Sequence, residues 1–287
     1  MRLKKKISAL DIVVHAFMII MVICILYPML NVVAISFSSS EQIMAGHITI
    51  FPRDFTLKNY TYFLGDGKVL RAYANSILYT TVGVLWNVGM TVLIAYPLSR
   101  GKLLGRAAIT KIIVFTMYFS GGTIPLYLIV KGTGLLDTMW SLIIPQSIWT
   151  MEMIIMISFF RSLPTSLYDA AELDGAGEFK TFLNVALPLS KAPIASISLF
   201  YFMGHWNSYF TAMLYLGDKN KYPLQMILKS MLLEDSTTVT SNVIATGMTP
   251  TGVKNAVIVI AMIPVLLIYP LAQKYFVKGV TVGAIKG

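Results

Sequence analysis

The sequence predicts an all-α, polytopic membrane protein with about six transmembrane helices, since its apolar residues gather into runs near the ~20 residues that cross a bilayer. Composition agrees: 56% of the 287 residues are hydrophobic and 13% charged, against about 25% charged in a typical soluble domain. Mean hydropathy is +0.71. The net charge of +10 sits at the ends of the apolar runs rather than on one compact face. That distribution argues for a membrane surface and against nucleic-acid binding.

In chain order, Arg2, Lys4, Lys5 and Lys6 form a basic head. A first span follows, roughly Ile12 to Ile35. It is longer than a signal-peptide core, so an uncleaved span is expected. The lone Cys24 has no internal disulfide partner and is expected to be buried, packing as a small hydrophobe. A polar outer loop of about 38–72 holds Thr56, a plausible cap for a short helix, and Asn59-Tyr60-Thr61, a glycosylation sequon given no weight. Span two runs roughly Tyr73 to Leu98, and Arg100, Lys102, Arg106 and Lys111 form a short basic loop. Span three, roughly Ile112 to Val130, is interrupted by Gly121-Gly122 and Pro125. Span four is roughly Met139 to Phe160, and span five roughly Pro193 to Leu216.

A second outer stretch covers about 217–254. Within it Leu224, Ile227, Leu228, Met231 and Leu232 recur with helical spacing, predicting an amphipathic helix. Thr237 to Thr251 reads as a loop. The last span, roughly Ala256 to Tyr275, contains Pro264 and Pro270. Proline is tolerated in a span when neighbouring helices satisfy the freed carbonyls. A tail of 276–287 ends the chain. The whole is expected to be one transmembrane domain, 1–287. The basic head, the short Arg100–Lys111 loop and the tail fall on one side, so both termini are expected to be cytoplasmic.

Between spans four and five, about 161–191, lies a polar segment with its own pattern. Ser166 with Asp169 three residues later reads as a helix N-cap with a capping box, and Asp169 as a first-turn acid. Leu167, Ala170 and Ala171 share one face of that helix, and the adjacent alanines leave room for another backbone. Gly175 can take positive φ and turn the chain. A second short helix is expected from Gly177 to Pro188.

Polar residues inside spans are the other signal. Glu152 lies near the middle of span four, where a charge costs about 2.5–3.5 kcal/mol on insertion scales. It reads either as a hydrogen-bond acceptor in a pathway or as a residue fixing helix contacts. Trp149, at i−3, shares its face, and Gln146 lies at i−6. His205-Trp206-Asn207 interrupts span five, with Asn207 either lining a pathway or joining helices. No G-x-x-x-x-G-K-[ST] phosphate loop occurs, no His/Cys cluster has metal spacing, and no G-x-S-x-G is present. Neither an ATPase nor a metal centre is expected in this chain, and enzyme activity is not expected.

Asp169-Ala170-Ala171, Gly175 and Val185-x-Leu187-Pro188 resemble the EAA signature of ABC-importer permeases, with Asp for the family's Glu and Val for its usual Ile. Trp206-Asn207, Ile124-Pro125-Leu126-Tyr127, Tyr222-Pro223-Leu224 and the final Gly-Val-Thr-Val-Gly-Ala-Ile-Lys-Gly are similar to the second permease of carbohydrate importers of the maltose-transporter type. The resemblance implies half of a translocation pathway for a carbohydrate, an oligosaccharide, with acidic ones among the candidates. It implies that Asp169, Ala170, Ala171, Glu172, Asp174, Gly175, Gly177 and Pro188 couple the chain to ATPase subunits. Gly283, Lys286 and Gly287 are carried over as tail contacts to the ATPase. Glu152, Trp149, Gln146, Trp206 and Asn207 are the pathway candidates. Implied partners are a homologous second permease, two ATPase subunits holding ATP and magnesium, an extracytoplasmic solute-binding protein and the bilayer of a bacterial inner membrane. The rival readings are an ABC permease for a non-sugar solute, which the tail and Trp206-Asn207 disfavour, and an ion-coupled secondary transporter using Glu152.

Overall fold

The computed structural model describes residues 9–65, 67–233 and 247–284, and the described residues are helical with no strand. In order the helices are α1 (Ala9–Ser36), α2 (Ser40–Met44), α3 (Lys58–Gly65), α4 (Gly67–Ser99), α5 (Arg106–Tyr118), α6 (Thr123–Gly132) and α7 (Trp140–Ile143). They continue with α8 (Thr150–Ser162), α9 (Thr165–Leu173), α10 (Glu178–Thr181), α11 (Leu187–Leu189), α12 (Lys191–Trp206), α13 (Phe210–Tyr215), α14 (Leu224–Leu233) and α15 (Pro250–Ala284). Among the described residues, Leu10–Ser36, Gly67–Ser99 and Pro250–Pro270 are each long and apolar enough to cross a membrane alone. Three further pairs are long enough only together. α5 and α6 are bent by 117°, Trp140–Gln146 and α8 by 53°, and Glu178–Leu189 and α12 by 79°.

The bends have local causes. Gly121-Gly122 separates α5 from α6, and Gly122 takes φ +89°, which favours glycine. Pro145 ends α7 in a 3-10 turn, Ile144–Gln146, and Trp149 is extended at φ −94°, ψ 123°. Pro188 has no N–H to donate and its ring crowds the carbonyl four residues back. A wide π turn, Phe182–Ala186, precedes it and takes up that misfit, and the bend itself falls just after, at Ser190 (φ −92°, ψ 11°).

By contacts the chain divides into two units, Met1–Leu70 with Leu228–Met262, and Arg71–Ile227 with Ile263–Gly287. In the first, the end of α1 is tied to the loop that follows it. Asn31 Nδ2 donates to the carbonyls of Ile48 (3.1 Å) and Thr49 (2.7 Å). Asn59, 2% exposed, donates to the carbonyls of Ser36 and Ser38. The sequon asparagine is therefore a buried structural residue. Thr56 is not the cap of α3: Leu57 holds that position, its carbonyl accepting from Tyr60 and Thr61, and Thr56 Oγ1 accepts the N–H of Lys58 two residues on in a local turn.

In the second unit, α4, α8, α9 and α12 surround a core of Tyr96, Leu98, Met153, Met156, Phe160, Tyr168, Ile197 and Tyr201. A smaller cluster of Tyr79, Ala212 and Leu216 packs with Met139, Leu142 and Tyr222.

Several expectations change. Cys24 is exposed rather than buried, because among the described residues no other part of the chain packs along α1 between Leu10 and Leu30. Arg106 and Lys111 stand on α5 rather than in a loop. Glu152 lies in the first turn of α8 rather than mid-helix, because span four breaks before it. Span five breaks at Asn207, which ends α12. Ser166 is not an N-cap. Pro164, at φ −57° and ψ 129°, precedes the helix, which starts at Thr165 and puts Asp169 beyond the first turn. Thr251 is in α15, and the tail stays helical through Ala284 because no proline follows Pro270. Lys286 and Gly287 lie outside the described residues, as do the basic head and 234–246.

Candidate functional site

Two polar clusters in the second unit hold sequence-predicted site residues. The first is the hairpin of α9 and α10. Asp174 is the C-cap of α9 and Gly175 takes φ +73°. The Gly175 N–H donates to the Glu172 carbonyl (3.0 Å) and the Ala176 N–H to that of Ala171 (2.9 Å). This is a Schellman closure, which needs a left-handed residue where Gly175 stands. The signature helix is thus ended by hydrogen bonds as well as by composition. A side chain added at Gly175 or Gly177 would meet open space. Asp169, Ala170, Glu172, Asp174, Gly177 and Pro188 are exposed and Ala171 is half-buried. Leu173 is 89% and Phe179 68% exposed, so the hairpin offers apolar surface flanked by small residues.

A clamp fixes the base of the hairpin. Lys102 Nζ meets Glu172 Oε2 at 3.1 Å and Glu178 Oε1 at 3.2 Å. Its hydrogen bonds to Glu172 and then Glu178 hold the Lys102 ammonium above its ordinary value. Tyr96 OH donates to Glu178 Oε2 at 3.1 Å. Arg100 lies 3.8 Å over the Tyr168 ring, a cation–π contact. Its Nε is 3.6 Å from Glu178 Oε2, near enough for charge attraction and too far for a hydrogen bond. Beside the clamp, Leu93, Pro97, Leu103, Phe179 and Phe182 line an apolar cleft of about 420 Å³. Lys102, Tyr96 and Glu178 were not marked as site residues by the sequence. Lys102 and Glu172 are 70 positions apart, and no local pattern joins them.

The second cluster runs along α4. Gly83, Asn87, Thr91 and Ala95 are spaced by four and all are buried, forming a small and polar stripe. Asn87 Nδ2 donates to the Gln146 carbonyl (2.5 Å), satisfying a group freed by the break after α7. Asn87 Oδ1 is 3.0 Å from His205 Nε2. Thr91 Oγ1 and Tyr201 OH are 2.7 Å apart, and the Tyr201 hydroxyl also accepts the Trp149 N–H at 3.2 Å. The Trp149 and Tyr201 rings pack with centroids 4.8 Å apart. The spacing of Gly83, Asn87 and Thr91 was visible in the sequence and could have pointed to this seam. Tyr201, alone in an apolar run, gave no such signal.

The predicted pathway residues divide. Trp149 and Glu152 join the seam, but Trp149 is the residue before α8 and not on its face. Glu152 is 8% exposed, and its hydrogen-bond partner among the described residues is its own backbone N–H. Gln146 contributes its carbonyl while the residue itself is exposed. Trp206 is 2% exposed, stacked on Phe202 and edge-on to Tyr73, so it packs the core. Asn207 is exposed and donates to the Met203 carbonyl at the end of α12. Gly283 lies in α15. No group of His, Cys, Asp and Glu among the described residues could hold a metal ion.

Residues 7–282 match the family described as binding-protein-dependent transport system inner membrane component. Protein LplC of Bacillus subtilis is 42% identical over 262 residues, 91% of this chain and 89% of that protein. The polygalacturonan/rhamnogalacturonan transport system permease protein YtcP of the same organism is 38% identical over 280 residues, 96% of this chain and 98% of that one. A chain from the crystal structure of a bacterial ABC transporter involved in the import of the acidic polysaccharide alginate superposes with TM-score 0.89 at 32% identity. That match covers 96% of this chain and 100% of that chain.

Proposed function

The chain belongs to the binding-protein-dependent transport system inner membrane components, and on that premise we propose that it is the permease subunit of an ATP-driven carbohydrate importer. It is a multi-pass inner-membrane protein. Residues 1–287 serve as one permease domain and form half of a pathway with a homologous second permease. Two ATPase subunits supply ATP and magnesium chemistry, for which this chain has no phosphate loop. A solute-binding protein delivers sugar to the outer loops. Both termini, the α9–α10 hairpin and the tail at Gly283, Lys286 and Gly287 face the cytoplasm, where the tail reaches an ATPase subunit. The relatives' printed polygalacturonan, rhamnogalacturonan and alginate transport make an acidic oligosaccharide the substrate class to test first.

The observation that carries this reading is the hairpin. It is closed by hydrogen bonds, clamped at its base and bare of bulk at Ala170, Gly175 and Gly177, with Leu173 and Phe179 exposed. Exposed apolar surface rimmed by polar residues marks a protein contact. A rigid hairpin passes ATPase closure to α8 and α12 as a rigid-body displacement. Glu152 and Asn207 are the pathway residues, and the Asn87–His205 and Thr91–Tyr201–Trp149 seam, buried and hydrogen-bonded to itself, holds α4, α8 and α12 in place beside them.

The test is reconstitution of the full importer with its ATPase and binding protein. Wild type is compared with Gly175→Asp and Ala170→Glu for uronate-oligosaccharide uptake and binding-protein-stimulated ATP hydrolysis. Loss of both, with membrane insertion intact, supports the assignment. Uptake that persists without the ATPase subunits overturns it.

A further inference from the structure

Arg106, Ala107, Thr110, Lys111, Val114 and Phe115 lie on one face of α5 and, with Arg161 from the last turn of α8, line a pocket of about 420 Å³. The face is graded. Cations occupy the first turns, and the apolar Val114 and Phe115 follow. Arg106 to Phe115 spans about 13 Å at 1.5 Å per residue. That is the distance from a phospholipid phosphate to the upper part of its acyl chains.

The charges here differ from those of the clamp. On the far side of the same loop, Lys102 is neutralised by Glu172 and Glu178. In this pocket no carboxylate takes part. Among the described residues Arg106 donates only to the carbonyls of Ser99 and Arg100, and Arg161 to that of Leu98. Lys111 has no hydrogen-bond or ion-pair partner among the described residues and is exposed. Three cations converge without a counter-charge, and Phe115, 56% exposed, continues the pocket toward the apolar part of the bent pair. An anionic headgroup supplies the missing charge and an acyl chain covers the apolar end. A soluble anion would satisfy only the first.

We propose that this pocket binds an anionic phospholipid, its phosphate held by Lys111, Arg106 and Arg161 and one acyl chain lying along Val114 and Phe115. Basic pockets between membrane helices take such headgroups. The inference rests on α5 standing in the membrane, which follows from the family. It does not depend on the substrate.

The experiment uses the complete importer purified in detergent, with native mass spectrometry counting bound phosphatidylglycerol or phosphatidylcholine during titration. Wild type is expected to retain phosphatidylglycerol in preference. Lys111→Gln, which removes a side chain with no structural partner, is expected to weaken that binding about fivefold, and Lys111→Gln/Arg161→Gln about thirtyfold, from ~1 kcal/mol per surface cation. Inorganic phosphate is expected not to compete. Equal retention of the two lipids overturns the proposal. So does unchanged retention in both variants, displacement by phosphate, or cross-linking of Lys111→Cys to an ATPase subunit. Sugar-stimulated ATP hydrolysis in the same preparation reports separately on the importer assignment.

Discussion

The indole of Trp149 fills the space that a side chain on Gly204 would need: a Cβ built at 204 overlaps Cη2 of Trp149. The residue that links the two halves of span four is therefore seated against bare backbone of α12. The same ring packs on Tyr201, three residues earlier on that helix.

Gly204→Ala is expected to overpack this contact and destabilise the importer by about 1–3 kcal/mol. Thermal unfolding in detergent measures it. Trp149→Leu added to Gly204→Ala is expected to recover most of the loss, since the clash is with the indole alone. A Gly204→Ala protein as stable as wild type would show that the indole is free to move.

Tyr201→Phe deletes one oxygen and two hydrogen bonds, those shared with Thr91 Oγ1 and the Trp149 N–H. Both groups are then left unpaired in the interior, which costs about 1–3 kcal/mol. Tyr201→Phe/Thr91→Val removes one orphaned group and is expected to be the less destabilised of the two. A double-mutant cycle on unfolding temperature checks the coupling.

Lys102→Glu places a third acid against Glu172 and Glu178. These groups are largely exposed, and exposed ion pairs contribute little to stability. The expectation is an almost unchanged melting temperature with severalfold lower sugar-stimulated ATP hydrolysis, because the hairpin base is no longer held. Lys102→Glu/Glu172→Lys should recover part of the activity, Glu178 remaining as a second partner.

Asp137 takes φ +58°. Its Oδ1 accepts the N–H groups of Gly217 and Asp218, and Lys221 Nζ lies 2.6 Å from its Oδ2. The Lys221 hydrogen bond, then that of Asp218, holds the Asp137 carboxyl below its ordinary 3.8. The same bond holds the Lys221 ammonium above its ordinary 10.5. A depressed acid stabilises the fold above its unfolded value, and that stabilisation is lost as pH falls through the folded value. A raised base stabilises fully below its unfolded value and loses the effect as pH rises through the folded one. The stability gap between wild type and Asp137→Asn should therefore be flat between 3.8 and 10.5 and narrow on either side. Unfolding measured across pH checks both edges.

What could be read in advance follows from how far each signal reaches along the chain. Apolar run length marked the spans, because burial in lipid acts on every residue of a run. Gly175 was legible because a left-handed turn restricts one position. The bends were not. Apolar residues look alike in a straight and a broken helix, and Pro145 and Gly121-Gly122 say where a span can break without giving the angle. Trp149 was placed on a face of α8 that begins only after it. Ser166 and Asp169 matched a capping box, but Pro164 starts the helix two residues sooner. The clamp escaped notice because Lys102, Glu172 and Glu178 meet only through the tertiary fold.

The contrast between straight and broken spans also bears on how the chain is made. α1 is apolar on all sides and, Pro28 apart, keeps its backbone bonded within itself, so it can enter the bilayer as soon as it leaves the ribosome. The half-helix ending at Gln146 cannot do so at equal cost. Its freed carbonyl is satisfied by Asn87, on a helix already synthesised. The α12 half-helix likewise brings Tyr201 and His205 to groups on α4 that wait for them. Insertion of the later spans is thus ordered by the earlier ones, and α4 is the template. A polar defect on α4, such as Asn87→Leu, would be felt first by the translocation machinery as a stalled or degraded nascent chain, before any sugar is moved.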